Sequence, residues 1–300
     1  MKPLILGTRG SDLALAQTRL VATRLRAAHP GLVVEERIIR TTGDARLDIR
    51  LSAPGSLDKG LFTRELEEAL LRGEIDAAVH SLKDLPTAQP AGLAIGAILE
   101  REGPEDVLLT REAEGLDDLP SGAQVGTSSL RRKCFLLWKR PDLEVVEIRG
   151  NVPTRIRKLG ESTTLDAIVL AGAGLRRLQA VDCPLAIDDL SLSPLDFMLP
   201  APGQGAIALQ CREGESSTGP LAALHHAATA ACVDAERAIL AGLGGGCHLP
   251  LGALAEVDDA AMMTLRAAWF GAATPRLAER RGPVADWQTL AAEITADLSA

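Results

Sequence analysis

The strongest constraint on this chain is an alternation of short apolar strand signals with helical ones, broken twice by residues that end regular structure. Leu4–Gly7 reads as a strand, and Ser11 stands where it can cap a helix carrying Leu13, Ala16 and Leu20 to about Ala28. Thr63–Leu71 and Ser129–Trp138 also have helical spacing. Strand-like runs recur at Leu32–Ile39, Asp76–His80, Leu93–Leu99, Asp106–Thr110, Val125–Gly126, Glu144–Arg149 and Asp166–Leu170. Strands that alternate with helices bury their apolar faces as layers, so the order predicts an α/β protein with largely parallel sheets. The breaks fall at Arg101-Glu102-Gly103-Pro104 and at Leu199-Pro200-Ala201-Pro202-Gly203-Gln204-Gly205, which read as hinge segments. Beyond Gly219 the pattern changes to one long helix, about Leu221 to Leu243, then strands at Leu251–Val257, Met262–Phe270 and Arg276–Arg280 and a closing helix from Val284. This tail reads as a separate α+β unit.

A chain of 300 residues has material for two or three domains. Its 46% hydrophobic and 24% charged residues are those of ordinary globular proteins. The first residues offer only Leu4-Ile5-Leu6 before Gly7 and Arg9, too little for a signal-peptide apolar region. The longest clean apolar run, Ala167 to Leu175, is far below the roughly 20 residues a bilayer span needs. The expectation is a cytoplasmic protein with no membrane partner. A net charge of −8, no Tyr, four Phe and three Trp give no basic or stacking surface for nucleic acid. The five cysteines are widely spaced without a C-x-x-C pair, which predicts reduced thiols. Neither His225-His226 nor Cys247-His248 has metal-ligand spacing, so no metal is expected.

Three clusters carry chemistry. Gly244-Gly245-Gly246 runs into Cys247; three glycines cost conformational entropy and suit unusual dihedrals or a close approach by another molecule, making the thiol reachable. A glycine-rich helix C-cap with an inert cysteine behind it is the plainer reading. Residues 126–160 hold nine basic against three acidic residues. Within them, Gly126-Thr127-Ser128-Ser129-Leu130-Arg131-Arg132 opens a helix, and Arg149-Gly150-Asn151 with Arg155 repeats the strand, turn and helix start. Helix N-termini, hydroxyls and Arg forks favour an anion with several negative groups, although a solvated helix face accounts for part of the charge. Finally, Ala78-Val79-His80-Ser81-Leu82-Lys83-Asp84-Leu85-Pro86 is an apolar strand running into a polar turn, where Ser81, Lys83 and Asp84 would face a crevice. A surface Lys-Asp pair beside a turn proline is the alternative.

Taken together, these residues resemble the porphobilinogen deaminase (hydroxymethylbilane synthase) family. The matching motifs span nearly the whole length: Gly7-Thr8-Arg9-Gly10-Ser11, Thr42-Gly43-Asp44, Lys59-Gly60-Leu61-Phe62, Val79 to Pro86, Gly126 to Arg132, Arg149-Gly150-Asn151-Val152, Pro202-Gly203-Gln204-Gly205 and Gly245-Gly246-Cys247. The resemblance implies that four porphobilinogen molecules are joined head to tail, each losing ammonia, to give hydroxymethylbilane. It also implies a dipyrromethane cofactor held by a thioether to Cys247, with Asp84 stabilising positive charge on the pyrrole and moving protons. By the same resemblance Ser81, Lys83, Thr127, Ser129, Arg131 and Arg132 would hold the cofactor, while Arg9, Ser11, Arg149, Arg155 and Arg176 would receive substrate.

The implied fold is two periplasmic-binding-protein-like α/β domains with hinge crossovers and a smaller C-terminal α+β domain. Residues 1–99 and 200–217 would form the first, 103–196 the second and 219–300 the third, which carries the cofactor cysteine. A monomer is expected, with transient contact to a downstream synthase. Two positions depart from the family pattern: Leu57-Asp58 precede Lys59 where many relatives have two glycines, and Gly244 stands where an acidic residue is frequent. Two rivals remain. A non-catalytic two-lobed carboxylate-binding protein would use the hinges and arginines but has no need of a thiol on a glycine loop. An acyl transferase using Cys247 and His248 would require adjacent residues to orient as nucleophile and base.

Overall fold

The computed structural model describes residues 2–41, 62–214, 219–246 and 249–300. The strands of the first lobe are β1 (Leu4–Thr8), β2 (Val34–Ile38), β3 (Ala77–Ser81) and β4 (Leu93–Ile98). Among the described residues its helices are α1 (Asp12–Ala28) and α2 (Arg64–Leu71). Ser11 caps α1 as its residue type predicts, accepting a bond from the Ala14 N–H. The second lobe holds β5 (Asp106–Thr110), β6 (Gln124–Gly126), α3 (Leu130–Lys139), β7 (Glu144–Val146), α4 (Val152–Glu161), β8 (Ala167–Ala171), α5 (Gly172–Gln179) and β9 (Ser191–Pro194). The chain then returns as β10 (Ile207–Arg212), which joins the first sheet.

The two five-stranded sheets have the same plan. Their orders are β2-β1-β3-β10-β4 and β7-β6-β8-β5-β9. In each, the first three strands are parallel, whereas β10 pairs antiparallel with β3 and β4, and β5 antiparallel with β8 and β9. The sheets are therefore mixed, not largely parallel. The reason lies in the hinges: β5 and β10 are the strands that follow the two crossovers, and each enters the other lobe's sheet from the opposite end.

Downstream, α6 (Ala227–Gly242), the antiparallel sheet of β11 (Leu251–Val257), β12 (Met262–Trp269) and β13 (Arg276–Pro283), and α7 (Trp287–Ser299) form the third lobe. The single helix expected over about 221–243 is in fact a short 3-10 turn, Pro220–Leu224, followed by α6. Two histidines cause the break. The Ile98 N–H donates to His225 Nδ1 at 3.3 Å and the His226 N–H to the Ile98 carbonyl at 2.8 Å, which fastens the joint to β4. His226 then accepts from the Thr229 N–H as the cap of α6.

The third lobe packs on the second through Phe270, whose ring lies 4.7 Å from Phe135 and 5.9 Å from Trp138. Gly252 permits the approach, because a Cβ there would lie 2.6 Å from the Leu199 carbonyl. The third lobe also meets both hinge segments through a buried ion pair. Arg101 binds Glu236 of α6 with two bonds of 2.6 and 3.1 Å and donates to the Gln204 carbonyl at 2.7 Å. Glu236, fully buried, further accepts from the Gly203 and Ala255 N–H groups. Because removing one partner strands a buried charge, Arg101→Met should cost about 3–5 kcal/mol. The check is the urea midpoint of Arg101→Met beside wild type; an unchanged midpoint would show that the pair contributes nothing.

Candidate functional site

The turn after β3 is where the first lobe presents polar groups. Val79 and His80 are buried, Ser81 is at the rim, and the chain tightens into a 3-10 turn over Leu82–Asp84 that leaves Asp84 exposed. Ser81 is held by Gln17 of α1, whose Nε2 donates to Ser81 Oγ at 2.9 Å. A cavity opens above them, lined by Arg9, Ser11, Gln17, Phe62, Ser81 and Asp84. The Arg9 guanidinium lies 4.3 Å over the Phe62 ring. His80 sits beneath; burial, and to a lesser extent the charge of Arg9, outweighs its bond to Gln210 and lowers its pKa to about 4. It is neutral at physiological pH and belongs to the floor.

The opposing wall comes from the second lobe. Ser129 caps α3 by accepting from the Arg132 N–H, and the Thr127 hydroxyl accepts from the Ser129 N–H. Arg131 and Arg132, on the first turn, are buried at 4% and 6% exposure. They share one carboxylate, that of Asp106 at the start of β5. Arg131 donates to Asp106 at 2.6 Å, and Arg132 donates through Nε and Nη2 at 3.0 and 2.8 Å. Gln204, from the other crossover, donates to the same carboxylate at 3.0 Å and accepts from Lys83 Nζ at 3.3 Å. Burial works to raise the Asp106 carboxyl, but the two arginine charges and these bonds hold it well below the usual carboxylate range.

Among the described residues, Lys83, Arg131, Arg132 and Arg155 thus gather around Asp84 and Asp106, four cations to two carboxylates, each within electrostatic reach of others in the set. The excess shows in the lysine. Burial, reinforced by the Arg132 and Arg131 charges, outweighs Asp84 and Asp106 and pulls Lys83 down to about 8. Burial and the Arg132 charge lower Arg155 to about 10, against the opposing pull of Asp84. Arg131 Nε is buried without a hydrogen-bond partner among the described residues. Such a cluster fits a ligand that brings carboxylates.

Two further expected arginines have partners of their own. Arg149 pairs with Glu147 at 2.7 Å. Arg176 of α5 is exposed at the hinge, bonded to Glu102, Glu105 and the Gly103 carbonyl. Thr42-Gly43-Asp44, Leu57-Asp58, Lys59-Gly60-Leu61, Cys247 and His248 fall outside the described residues. The glycines before Cys247 are described, and all three have left-handed backbone, with φ of 100°, 60° and 147°. A Cβ at Gly245 would lie 3.3 Å from Thr87 Oγ1, so the run passes against the turn that follows Asp84.

Sequence reasoning missed Asp106 and Gln204 as members of the site, because one sits at a strand start and the other in a hinge. Only the crossovers bring them together. Phe62 stood in a motif without a role, and Gln17 carried no signal beyond its place on the buried face of α1.

Fold and site define a two-lobed α/β protein whose cationic interlobe cluster is shaped for a polycarboxylate, with a third lobe delivering a glycine loop to its edge. Residues 4–219 match the family model described as "Porphobilinogen deaminase, dipyromethane cofactor binding domain", and residues 230–274 match its C-terminal domain. The porphobilinogen deaminase of Moorella thermoacetica is 51% identical over 86% of this chain and 80% of its own length. That of Thermus thermophilus is 50% identical over 86% of this chain and 82% of its own. The chain belongs to the porphobilinogen deaminase family. It is a transferase of the hydroxymethylbilane synthase type, working on porphobilinogen in tetrapyrrole biosynthesis, with a domain for a dipyrromethane cofactor. The non-catalytic binding protein is not favoured.

Among solved structures, the periplasmic aliphatic sulphonate binding protein of Escherichia coli is 14% identical over 80% of this chain and 70% of its own, at TM-score 0.39. A likeness of that size adds nothing to the topology described above. Among the described residues no helix is long and apolar enough to cross a membrane.

Two pH effects follow from the cluster. Asp106 titrates lower in the fold than its ordinary 3.8, so its contribution to stability is complete above that value and lost as pH falls below it. Asp106→Asn should flatten the acid limb of a Tm-versus-pH curve; an unchanged acid limb would show that Asp106 does not drive it. Lys83 is depressed below its ordinary 10.5, so the unfolded chain binds more protons between pH 8 and 10.5, and stability from this group rises with pH across that window. Lys83→Met should abolish that rise, and a rise that persists in the variant would place the titrating group elsewhere.

Proposed function

We propose that Cys247 carries the dipyrromethane through a thioether, and that Asp84 is the catalytic residue for each condensation. The observation that carries this reading is that, among the described residues, four cations gather around the two carboxylates Asp84 and Asp106. Each pyrrole brings an acetate and a propionate, the groups that such an excess would bind. When bound, the cofactor supplies the pyrrole carbon from which the chain grows. Ser81, Lys83, Thr127, Ser129, Arg131 and Arg132 hold its carboxylates, with Arg131 Nε as one donor still to be satisfied.

Incoming porphobilinogen is received in the cavity beside Arg9, Ser11 and Phe62, with Arg149 and Arg155 pairing its carboxylates. Arg176 takes part by exchanging its hinge partners, Glu102 and Glu105, for a substrate carboxylate. The aminomethyl carbon–nitrogen bond breaks, ammonia leaves with a proton delivered at Asp84 Oδ, and positive charge develops on the pyrrole. The Asp84 carboxylate stabilises that charge as a negative group held in place beside the reacting pyrrole. After the carbon–carbon bond forms, the displaced ring proton returns through the same carboxylate.

The chain works as a monomer in the cytoplasm and hands its product to a downstream synthase by transient contact. Arg9 and Lys83 lie on a lobe that hinges against the arginine wall, which gives the growing product a way to make room.

Intact mass of the denatured protein tests the anchor. Wild type should exceed its polypeptide mass by two linked pyrrole units, and Cys247→Ser should not. Asp84→Ala should keep the added mass and lose roughly 10²- to 10⁴-fold in turnover. Near-normal turnover would remove Asp84 from this role, and wild-type mass equal to the bare polypeptide, unchanged by porphobilinogen, would remove Cys247 from its own.

A further inference from the structure

Arg237, on α6 of the third lobe, is 7% exposed, yet among the described residues its guanidinium hydrogen-bonds no carboxylate; it faces four backbone carbonyls of the turn after β3. Nη1 donates to the carbonyls of Leu85 at 2.9 Å and Leu82 at 3.4 Å, and Nη2 to those of Pro86 at 2.8 Å and Thr87 at 3.5 Å. These carbonyls flank Lys83 and Asp84 on both sides. Such a grip constrains the direction in which the 3-10 turn aims both side chains. Burial lowers the pKa of Arg237, with Asp234 opposing, but a guanidinium keeps its proton regardless.

A second strut holds the same turn from within the first lobe. Gln89 donates to the Pro86 carbonyl at 2.9 Å, Gln210 of β10 donates to Gln89 at 2.9 Å, and Gln210 in turn meets His80 at 3.2 Å. That strut fixes the turn to its own sheet. Arg237 fixes it to the lobe whose helix ends in the glycine run, where the Gly245 N–H closes on the Leu240 carbonyl at 2.9 Å. The glycines then pass beside Thr87, one of the residues Arg237 grips. The neighbouring Glu236 holds Arg101 of the hinge. Consecutive residues of one helix thus grip a crossover and the turn of Lys83 and Asp84.

We infer that Arg237 is a positioning residue for the condensation: it holds the Lys83–Asp84 turn in register with the glycine loop of the third lobe. This rests on the reading of Asp84 and Cys247 given above. Arg237 touches neither substrate nor cofactor in this role. Its loss misplaces the Asp84 carboxylate while leaving the groups that bind porphobilinogen in place. The signature is a fall in kcat with little change in KM, since small misplacements of a catalytic group cost up to about 10²-fold.

The experiment compares holoenzyme of wild type, Arg237→Gln, Arg237→Lys, Arg212→Gln and Asp84→Asn, with turnover scored per chain shown by intact mass to carry the cofactor. Arg212 is the control, because it too holds carbonyls of the first lobe, those of Leu70 and Ile75, but none of the catalytic turn. Arg237→Gln should lower kcat about 10- to 100-fold with KM for porphobilinogen within about threefold of wild type. Arg237→Lys, whose single ammonium reaches fewer of the carbonyls, should fall between the two. Arg212→Gln should lower Tm with kcat unchanged. Wild-type kcat in either Arg237 variant overturns the inference, and so does a loss that tracks Tm equally at Arg237 and Arg212. An active Asp84→Asn would overturn the reading of the site and this inference with it, whereas an inactive Asp84→Asn beside a fully active Arg237→Gln overturns the inference alone.

Discussion

A carboxylate with no solvent exposure must be surrounded by donors, and Asp106 obtains them from two separate stretches of chain. Arg131 and Arg132 come from α3, Gln204 from the returning crossover, and Asp106 itself starts the strand that leaves the outgoing one. An unpaired carboxylate at this depth would cost several kcal/mol, so the fold that satisfies it is strongly selected over arrangements that do not. Because Gln204 also accepts from Lys83, the same contact links the lobe that carries Asp84 to the arginine wall. The two lobes are therefore joined beside Asp84 by polar contacts of the crossovers.

The joint has a second storey. Arg101 lies on the first crossover and binds Glu236, while Glu236 also receives the N–H of Gly203 on the other crossover and that of Ala255 in the third lobe's sheet. Both crossovers and the third lobe meet on this one buried carboxylate. The aromatic contact of Phe270 with Phe135 then closes the third lobe against the second. Together these contacts keep the glycine run beside the turn that follows Asp84, and the left-handed backbone of Gly244, Gly245 and Gly246 is what allows the run to pass there.

Much of this was legible in the residues. The strands and helices that place the site lie close to where the apolar periodicity put them, and Ser11, Ser129 and Asn151 cap the helices they precede. The buried strand running into the turn of Ser81, Lys83 and Asp84 was legible, but by itself it left a surface Lys-Asp pair as the alternative. What failed to show was pairing over long separations. Nothing local in β5 or β10 declares that they run antiparallel, since direction depends on which sheet the chain enters after a crossover. The break before α6 was missed for a similar reason: the two histidines are tolerable in a helix by themselves, and only their bonds to Ile98 end it.

The sequence by itself determined the local elements, the excess of basic residues between 126 and 160, and the glycine run ahead of Cys247, because helix caps, periodicity and backbone freedom act over a few residues. It determined the family too, through ordered motifs that a chain retains whatever its surroundings. Only the tertiary structure decided that Arg131 and Arg132 share Asp106, that Arg176 is engaged at the hinge, and that Arg237 grips the turn behind Asp84. A guanidinium's partner is set by which acceptors folding brings within about 3 Å in a dry place, and those acceptors lie tens to more than a hundred residues away along the chain.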